Sequence, residues 1–225
     1  MYFQCGQWGV GEGWGRFVKV GRSVQKALDE WIADDVESAM LHACNAVDGT
    51  AKKAYPSLGV TARFKTFIRD NYDVFGRMGM PGIDPENTRF AVRHNGERWK
   101  MDIADVVYHI HRCTHGHGDE LPDGFELVRY DPNSGLPNRL IGENGSIRLS
   151  TSVIFGLLVV AITDPSNADQ SIPLDYFLLL EHMKFFVHDW WGQRDEFRVA
   201  LADAAEIPIV TLNFGDWTDG LRQIR

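Results

Sequence analysis

The chain predicts a mainly α fold, a helical bundle with an inserted β-hairpin and a C-terminal helical extension. Three observations carry this. Apolar residues recur at three- and four-residue spacing over several long stretches. Asn-Gly dipeptides, which favour hairpin turns, stand at 95–96 and 144–145 between short apolar runs. The composition, 44% apolar and 24% charged over 225 residues, is that of a globular protein with ample chain for a core.

Taken in order, residues 1 to 16 are rich in Gly and Trp, have no period and read as an irregular arm. Tyr2-Phe3-Gln4 resembles the tail of a protease-cleavable tag. From Ser23, a fair N-cap, to Tyr55 the apolar positions Val24, Leu28, Trp31, Val36, Met40, Ala43, Cys44 and Val47 have helical spacing. A break is expected near Asp34-Asp35, and Pro56 and Gly59 end the run. A second helix is expected from Thr61 to Phe75, then a loop through Gly76, Gly79, Pro81, Gly82 and Pro85 that could overhang a site.

Phe90 to Trp99 is a possible hairpin. Asp102 to Arg112 is an amphipathic helix with Ile103, Val106, Val107 and Ile110 inward, fraying at Gly116 and Gly118. Strands are expected at 125–130 and 139–149, a buried helix at 152–162, an amphipathic aromatic segment of helical period at 174–191, a helix at 193–205 and a short strand at 207–212. The expected organisation is an arm (1–16), a helical domain (17–165) with its hairpin near 125–150, and a helical extension packed on it (166–225).

The formal charge of −8 argues against broad, nonspecific wrapping of nucleic acid, since phosphate contacts need local Lys and Arg; a small basic patch remains compatible. Cys5, Cys44 and Cys113 show neither zinc-knuckle nor redox-pair spacing, which fits reduced thiols in a cytoplasmic protein. No secretory leader is expected, and the run from Val153 to Ile162 is too short to span a membrane.

Asp102 to Glu120 holds four of the eight histidines and is the stretch around which function is read. Arg112 is followed, after four residues, by His117, with His115 between them. RNA can be cut without a metal when its own 2′-hydroxyl attacks the adjacent phosphate. That chemistry needs a group that moves protons near neutrality, which His supplies, and a permanent fork-shaped cation, which Arg supplies. Arg89 and His94 share the spacing, so spacing alone decides little.

Two stretches add context. Glu37 to Tyr55 is rich in small residues with an embedded acid, and Asp102 to Glu120 ends in Arg, Cys, then His. Over roughly residues 23 to 163 the chain resembles the HEPN (higher eukaryote and prokaryote nucleotide-binding) family, small helical domains that include many dimeric ribonucleases. The resemblance implies Arg112 and His117 as the catalytic pair, with pairs from two protomers meeting in one cleft. It implies Asp48 as the acid that orients Arg112, with His115 as a second candidate base and Asp119 in support. It also implies an RNA substrate, no cofactor or metal, a homodimer and, by family analogy, a toxin or anti-phage setting with a neutralising partner protein. Cys113 stands where the family usually has a polar residue.

Two other readings stay open. The fold could serve as an inactive nucleotide- or protein-binding module. Alternatively, His109, His111, His115 and His117 with Asp119 and Glu120 could form a metal-dependent hydrolase, although only His111 and His115 share a helix face. The basic segment Lys52, Lys53, Arg63, Lys65 and Arg69, with aromatics between, could track an RNA backbone, or could be a solvated helix face. The aromatics Phe177, Phe185, Phe186, Trp190 and Trp191 suggest core or a dimer interface.

Overall fold

A computed structural model of the chain describes residues 19–94, 96–114, 121, 125–129, 141–143, 145–180, 183–202, 208–212 and 222–223. The fold is mainly α, with small sheets at its edges. The elements are α1 (Lys19–Ile32), α2 (Val36–Ala54), α3 (Val60–Arg69), α4 (Tyr72–Gly79), β1 (Phe90–His94), β2 (Glu97–Met101) and α5 (Ile103–Val106), which runs on as a π-helical turn, Val107–Arg112. After these come β3 (Glu126–Val128), β4 (Ile141–Glu143), β5 (Ser146–Ser150), α6 (Ser152–Thr163), β6 (Phe177–Leu180), β7 (Met183–Phe186), α7 (Arg194–Ala202) and β8 (Arg222–Gln223). The expected arm lies outside the described residues.

Helix α6 is central, and every one of its residues is buried. A helix with no polar face must be covered on all sides. Helices α1, α2, α4 and α7 pack against it. It meets α4 where two glycines face each other: a Cβ on Gly156 would lie 2.8 Å from the Gly79 Cα. Ser152 Oγ donates to the Gly79 carbonyl at 2.7 Å and fixes the crossing. At the other end, buried Asn167 donates to Thr50 Oγ1 on α2 and to the Ala161 carbonyl, each at 2.8 Å, so α2 and α6 share a polar rivet inside the core.

The break at Asp34-Asp35 is as the sequence indicates. Asp34 takes a left-handed φ of 72°, and Asp35 caps α2 by accepting from the Ser38 amide at 2.9 Å. The first helix begins at Lys19, so Ser23 lies inside it rather than at its cap. The expected helix over 61–75 is two helices, interrupted at Asp70-Asn71. Buried Asn71 donates to the Phe67 carbonyl at 2.7 Å and turns the chain there. Part of the expected loop is thus helix, since α4 continues to Gly79.

Both Asn-Gly sites join antiparallel strands, β1 with β2 and β4 with β5. Strand β3 adds to β5 in parallel, and β8 to β2. The main departure lies at 174–191, which forms the β6–β7 hairpin instead of a helix. Burial there alternates: Leu178, Leu180 and Phe185 face inward, while Lys184 lies over the rings of Phe177 and Phe186 on the other face. Aromatic residues suit a half-buried sheet face, and that preference overrides the chance helical spacing. His188, beyond the hairpin, faces Asp189 at 3.1 Å. Within 207–212 the pairing is a single parallel bridge, Val210 to Ile83. No helix among the described residues is long and apolar enough to cross a membrane.

Two outcomes follow from these contacts. Gly156→Val forces the α4–α6 crossing apart and should lower the urea midpoint by an equivalent of about 1–3 kcal/mol or more. Asp35→Ala removes a cap worth ~1 kcal/mol. The Asp35 carboxyl is held below its usual pKa, chiefly by the Ser38 amide. Its stabilisation is therefore present above the unfolded-state pKa and fades as pH falls through the lower folded value. Urea titrations of parent and variant should differ at neutral pH and converge in strong acid.

Candidate functional site: an aspartate between two arginines

Asp48 lies on α2 one turn after Cys44. Cys44 is buried, with its thiol pKa pushed well above the ordinary value by burial, whereas Asp48 reaches the half-exposed edge of the helix. Helix α3 brings Arg63 to one side of this carboxylate. The π turn after α5 brings Arg112 to the other. Tyr108, one turn before Arg112, spans the gap: its hydroxyl accepts from Thr61 Oγ1 on α3 at 2.8 Å, and its ring lies under the Arg112 guanidinium, 5.5 Å from centroid to Cζ.

Arg112 donates to Asp48 Oδ2 through Nη2 at 2.6 Å and Nε at 3.2 Å. Arg63 Nη2 stands 4.0 Å from Asp48 Oδ1. Exposure is 28% for the Arg112 side chain, 20% for Asp48 and 17% for Arg63, so the cluster is shielded yet reachable. Among the described residues one carboxylate serves two guanidiniums, leaving one surplus positive charge. Nη1 of Arg112 makes no hydrogen bond among the described residues and can receive a ligand oxygen. Burial pulls the Arg112 pKa down, but the hydrogen bond and charge of Asp48 outweigh it, so the guanidinium is held charged.

The π turn sets this geometry. Widening one helical turn to i→i+5 bonding delays every later side chain by about one residue, roughly 100° of rotation in α-helical terms. Such turns concentrate at functional positions. Tyr108, Ile110 and His111 stay in the core while Arg112 turns to the edge.

Asp48 and Arg112, paired by inference at the sequence level, are brought together. His115, His117, Asp119 and Glu120 lie outside the described residues. His109 is half-buried with its ring 5.0 Å from that of Tyr108, and His111 is fully buried rather than on a polar flank. Among the described residues no group of three or more His, Cys, Asp or Glu side chains could hold a metal ion.

The basic segment divides. Lys53 is tied to Asn167 Oδ1 at 2.9 Å and the Ser166 carbonyl at 3.2 Å, and Lys52 is exposed. Lys65 is buried and faces Asp105 at 3.0 Å, which takes it away from any ligand at the surface. Arg69 joins the same buried network, donating to Asp102 at 2.7 Å and Asp105 at 2.8 Å. Asp102 and Asp105 in turn cap the start of α5 reciprocally. Burial works against both carboxylates; Arg69 still holds Asp102 below its usual pKa, while burial and Asp102 push Asp105 up. Nothing in the spacing announced this network.

The Rv1289 family model matches residues 19–218. The chain belongs to the Rv1289 family. An uncharacterized protein of Mycobacterium bovis is 44% identical over 206 residues, covering 90% of this chain and 97% of that relative. Uncharacterized proteins from two strains of Mycobacterium tuberculosis match with the same identity and coverage. No solved structure matches. The Rv1289-family match takes in α1 through α7, hence all three members of the Arg63–Asp48–Arg112 cluster.

Removing the shared carboxylate leaves two shielded cations face to face. Asp48→Ala should cost about 1–3 kcal/mol in urea denaturation. The Asp48→Ala/Arg112→Ala double variant should be less destabilised than the sum of the two single variants, because they lose the same interaction.

Proposed function

We propose that the chain is a metal-independent endoribonuclease of the HEPN type, acting on cytoplasmic RNA as a homodimer. The observation that carries this is the Asp48–Arg112 pair, at 2.6 Å, between an early core helix and a later one. It is the contact that the HEPN resemblance assigned to those two positions. In this reading α2, α3, the α5–π helix and α6 are the HEPN-like bundle.

Asp48 fixes the Nε edge of Arg112, and the Nη1 edge takes a non-bridging oxygen of the scissile phosphate. His117 accepts the proton of the 2′-hydroxyl as the O2′–P bond forms. The P–O5′ bond breaks and the leaving oxygen takes up a proton from solvent, to which His117 then releases its own, giving a 2′,3′-cyclic phosphate and a 5′-hydroxyl. Arg112 offsets charge gathering on the phosphate, aided by the surplus charge that Arg63 adds. His115 and Asp119 stand in reserve for proton transfer and its orientation. A role as a toxin or anti-phage effector with a neutralising partner rests on family analogy. The second reading, a nucleotide-binding module, is favoured by Cys113 beside Arg112, since the cation cluster can hold a phosphate without cutting it.

The deciding experiment is RNA cleavage in EDTA by the parent, Arg112→Ala and His117→Ala. The parent should cut and each variant should lose about 100-fold or more in rate. Asp48→Asn should retain intermediate activity. A parent that cuts none of several structured and unstructured RNAs overturns the nuclease reading in favour of the binding module. Cleavage surviving both substitutions places the activity elsewhere.

A further inference from the structure

The β1–β2 hairpin has two unlike faces. Phe90 pairs with Met101 and Val92 with Trp99, and these residues face the core. On the opposite face Ala91 pairs with Lys100 and Arg93 with Arg98, and Arg89, just before β1, continues the series. Four cations therefore line one side of the β1–β2 hairpin, which β8 extends along the β2 edge, in a protein of net charge −8.

None of the four has an ion pair among the described residues. Arg89 donates through Nη1 to the carbonyls of Glu86 and Thr88, at 2.6 and 2.8 Å, and keeps its charge. Arg93 and Arg98, both exposed, stand directly opposite each other. Like charges facing across a ladder are destabilising. The foot of the ribbon opens into a polar hollow of about 520 Å³, which Arg69, Asp102 and Asp105 also line. Those two aspartates are already matched by Arg69 and Lys65, and Arg89 also helps to hold Asp102 below its usual pKa. Glu86 and Asp70 line the hollow too, so the unopposed charge is clearest at the Arg93–Arg98 end.

We propose that the Arg89–Arg93/Arg98–Lys100 face of this hairpin is a docking surface for the phosphate backbone of single-stranded RNA. Same-face residues along a strand are about 7 Å apart, a spacing that lets an extended backbone lie along the ribbon. Charge complementarity favours a polyanion, and the shape of the hairpin favours nucleic acid over a lipid surface. Its tip presents Gly96 and exposed Glu97, with no large apolar side chain to enter a bilayer. Among the described residues the exposed large apolar side chains, Ile32, Val60, Leu174, Val199, Ile209 and Val210, all lie elsewhere.

The hairpin leads directly through Asp102 into the helix that carries Arg112, about 15 Å further along by helical rise. The choice of RNA as the polyanion rests on the ribonuclease reading. The cationic ribbon itself does not.

The test measures binding of fluorescent oligo-uridine to the full chain by anisotropy across a salt series. The proteins compared are the parent, Arg93→Gln/Arg98→Gln and Arg112→Ala. The hairpin double variant should bind ~10-fold more weakly at low salt and lose about 1.4 from the slope of log affinity against log salt. It should melt no lower than the parent, because a like-charge pair has been removed, and that melt distinguishes a lost surface from a lost fold. Arg112→Ala should bind with the parent's salt slope less at most one contact while losing cleavage.

Equal binding by parent and double variant overturns the proposal, as does a parent that binds no RNA. Binding by the parent to phosphatidylserine vesicles but not to RNA would assign the ribbon to a membrane surface instead. If no variant or parent cuts RNA yet the double variant alone loses affinity, the nuclease reading fails and the docking surface stands.

Discussion

The constraint on which the rest depends is the burial of α6. Twelve successive residues without an exposed member cannot sit at the edge of a protein. Other helices must enclose them, and the Gly79–Gly156 contact and the Asn167 bonds set how closely they do so. Helix α2 is held by this requirement along one face, with Ala39, Met40, Ala43, Cys44, Ala46, Val47, Thr50 and Ala51 buried. Its remaining edge is where Asp48 can meet a charged partner. The candidate site is thus a by-product of how a wholly buried helix is wrapped.

A second dependence runs through charge. Lys65, Asp105, Arg69 and Asp102 form a buried or half-buried chain of opposite charges at the start of α5. Each would be costly alone, and together they satisfy one another. The network pins α3 to the point where the β1–β2 hairpin becomes helix. It fixes the direction in which the α5–π helix leaves, and so the place where Arg112 arrives. Ionic contacts here orient elements whose stability comes from the apolar core.

Much of this was legible in the sequence where local chemistry acts alone. The break at Asp34-Asp35, the two Asn-Gly turns and the buried α6 follow from caps, turn residues and apolar runs that lie within a few positions of each other. The aromatic stretch after Leu174 was not legible as a hairpin, since Phe177, Phe185 and Phe186 satisfy a helical period by chance and only their burial alternation distinguishes strands. Asp48 with Arg112 came through family resemblance; spacing could not have joined residues on separate helices. The inward turn of Lys65 and the sharing of Asp48 by Arg63 are tertiary facts without a local signature. The cationic ribbon was open to detection, because Arg89, Arg93, Arg98 and Lys100 fall on one face once the Asn95-Gly96 turn fixes the register.

The π turn between Val107 and Arg112 can be viewed as an insertion. An α-helix that buries the same apolar face requires one residue fewer over this span. The extra residue adds nothing to helical hydrogen bonding, and a chain selected only for a stable helix would dispense with it. Its presence rotates Arg112 by about one residue relative to the α-helical register that would carry the same apolar face. Tolerance to change should then be uneven along the segment. Side-chain swaps among the buried positions alter packing, whereas loss of a single residue would regularise the helix and detach everything beyond it from its register.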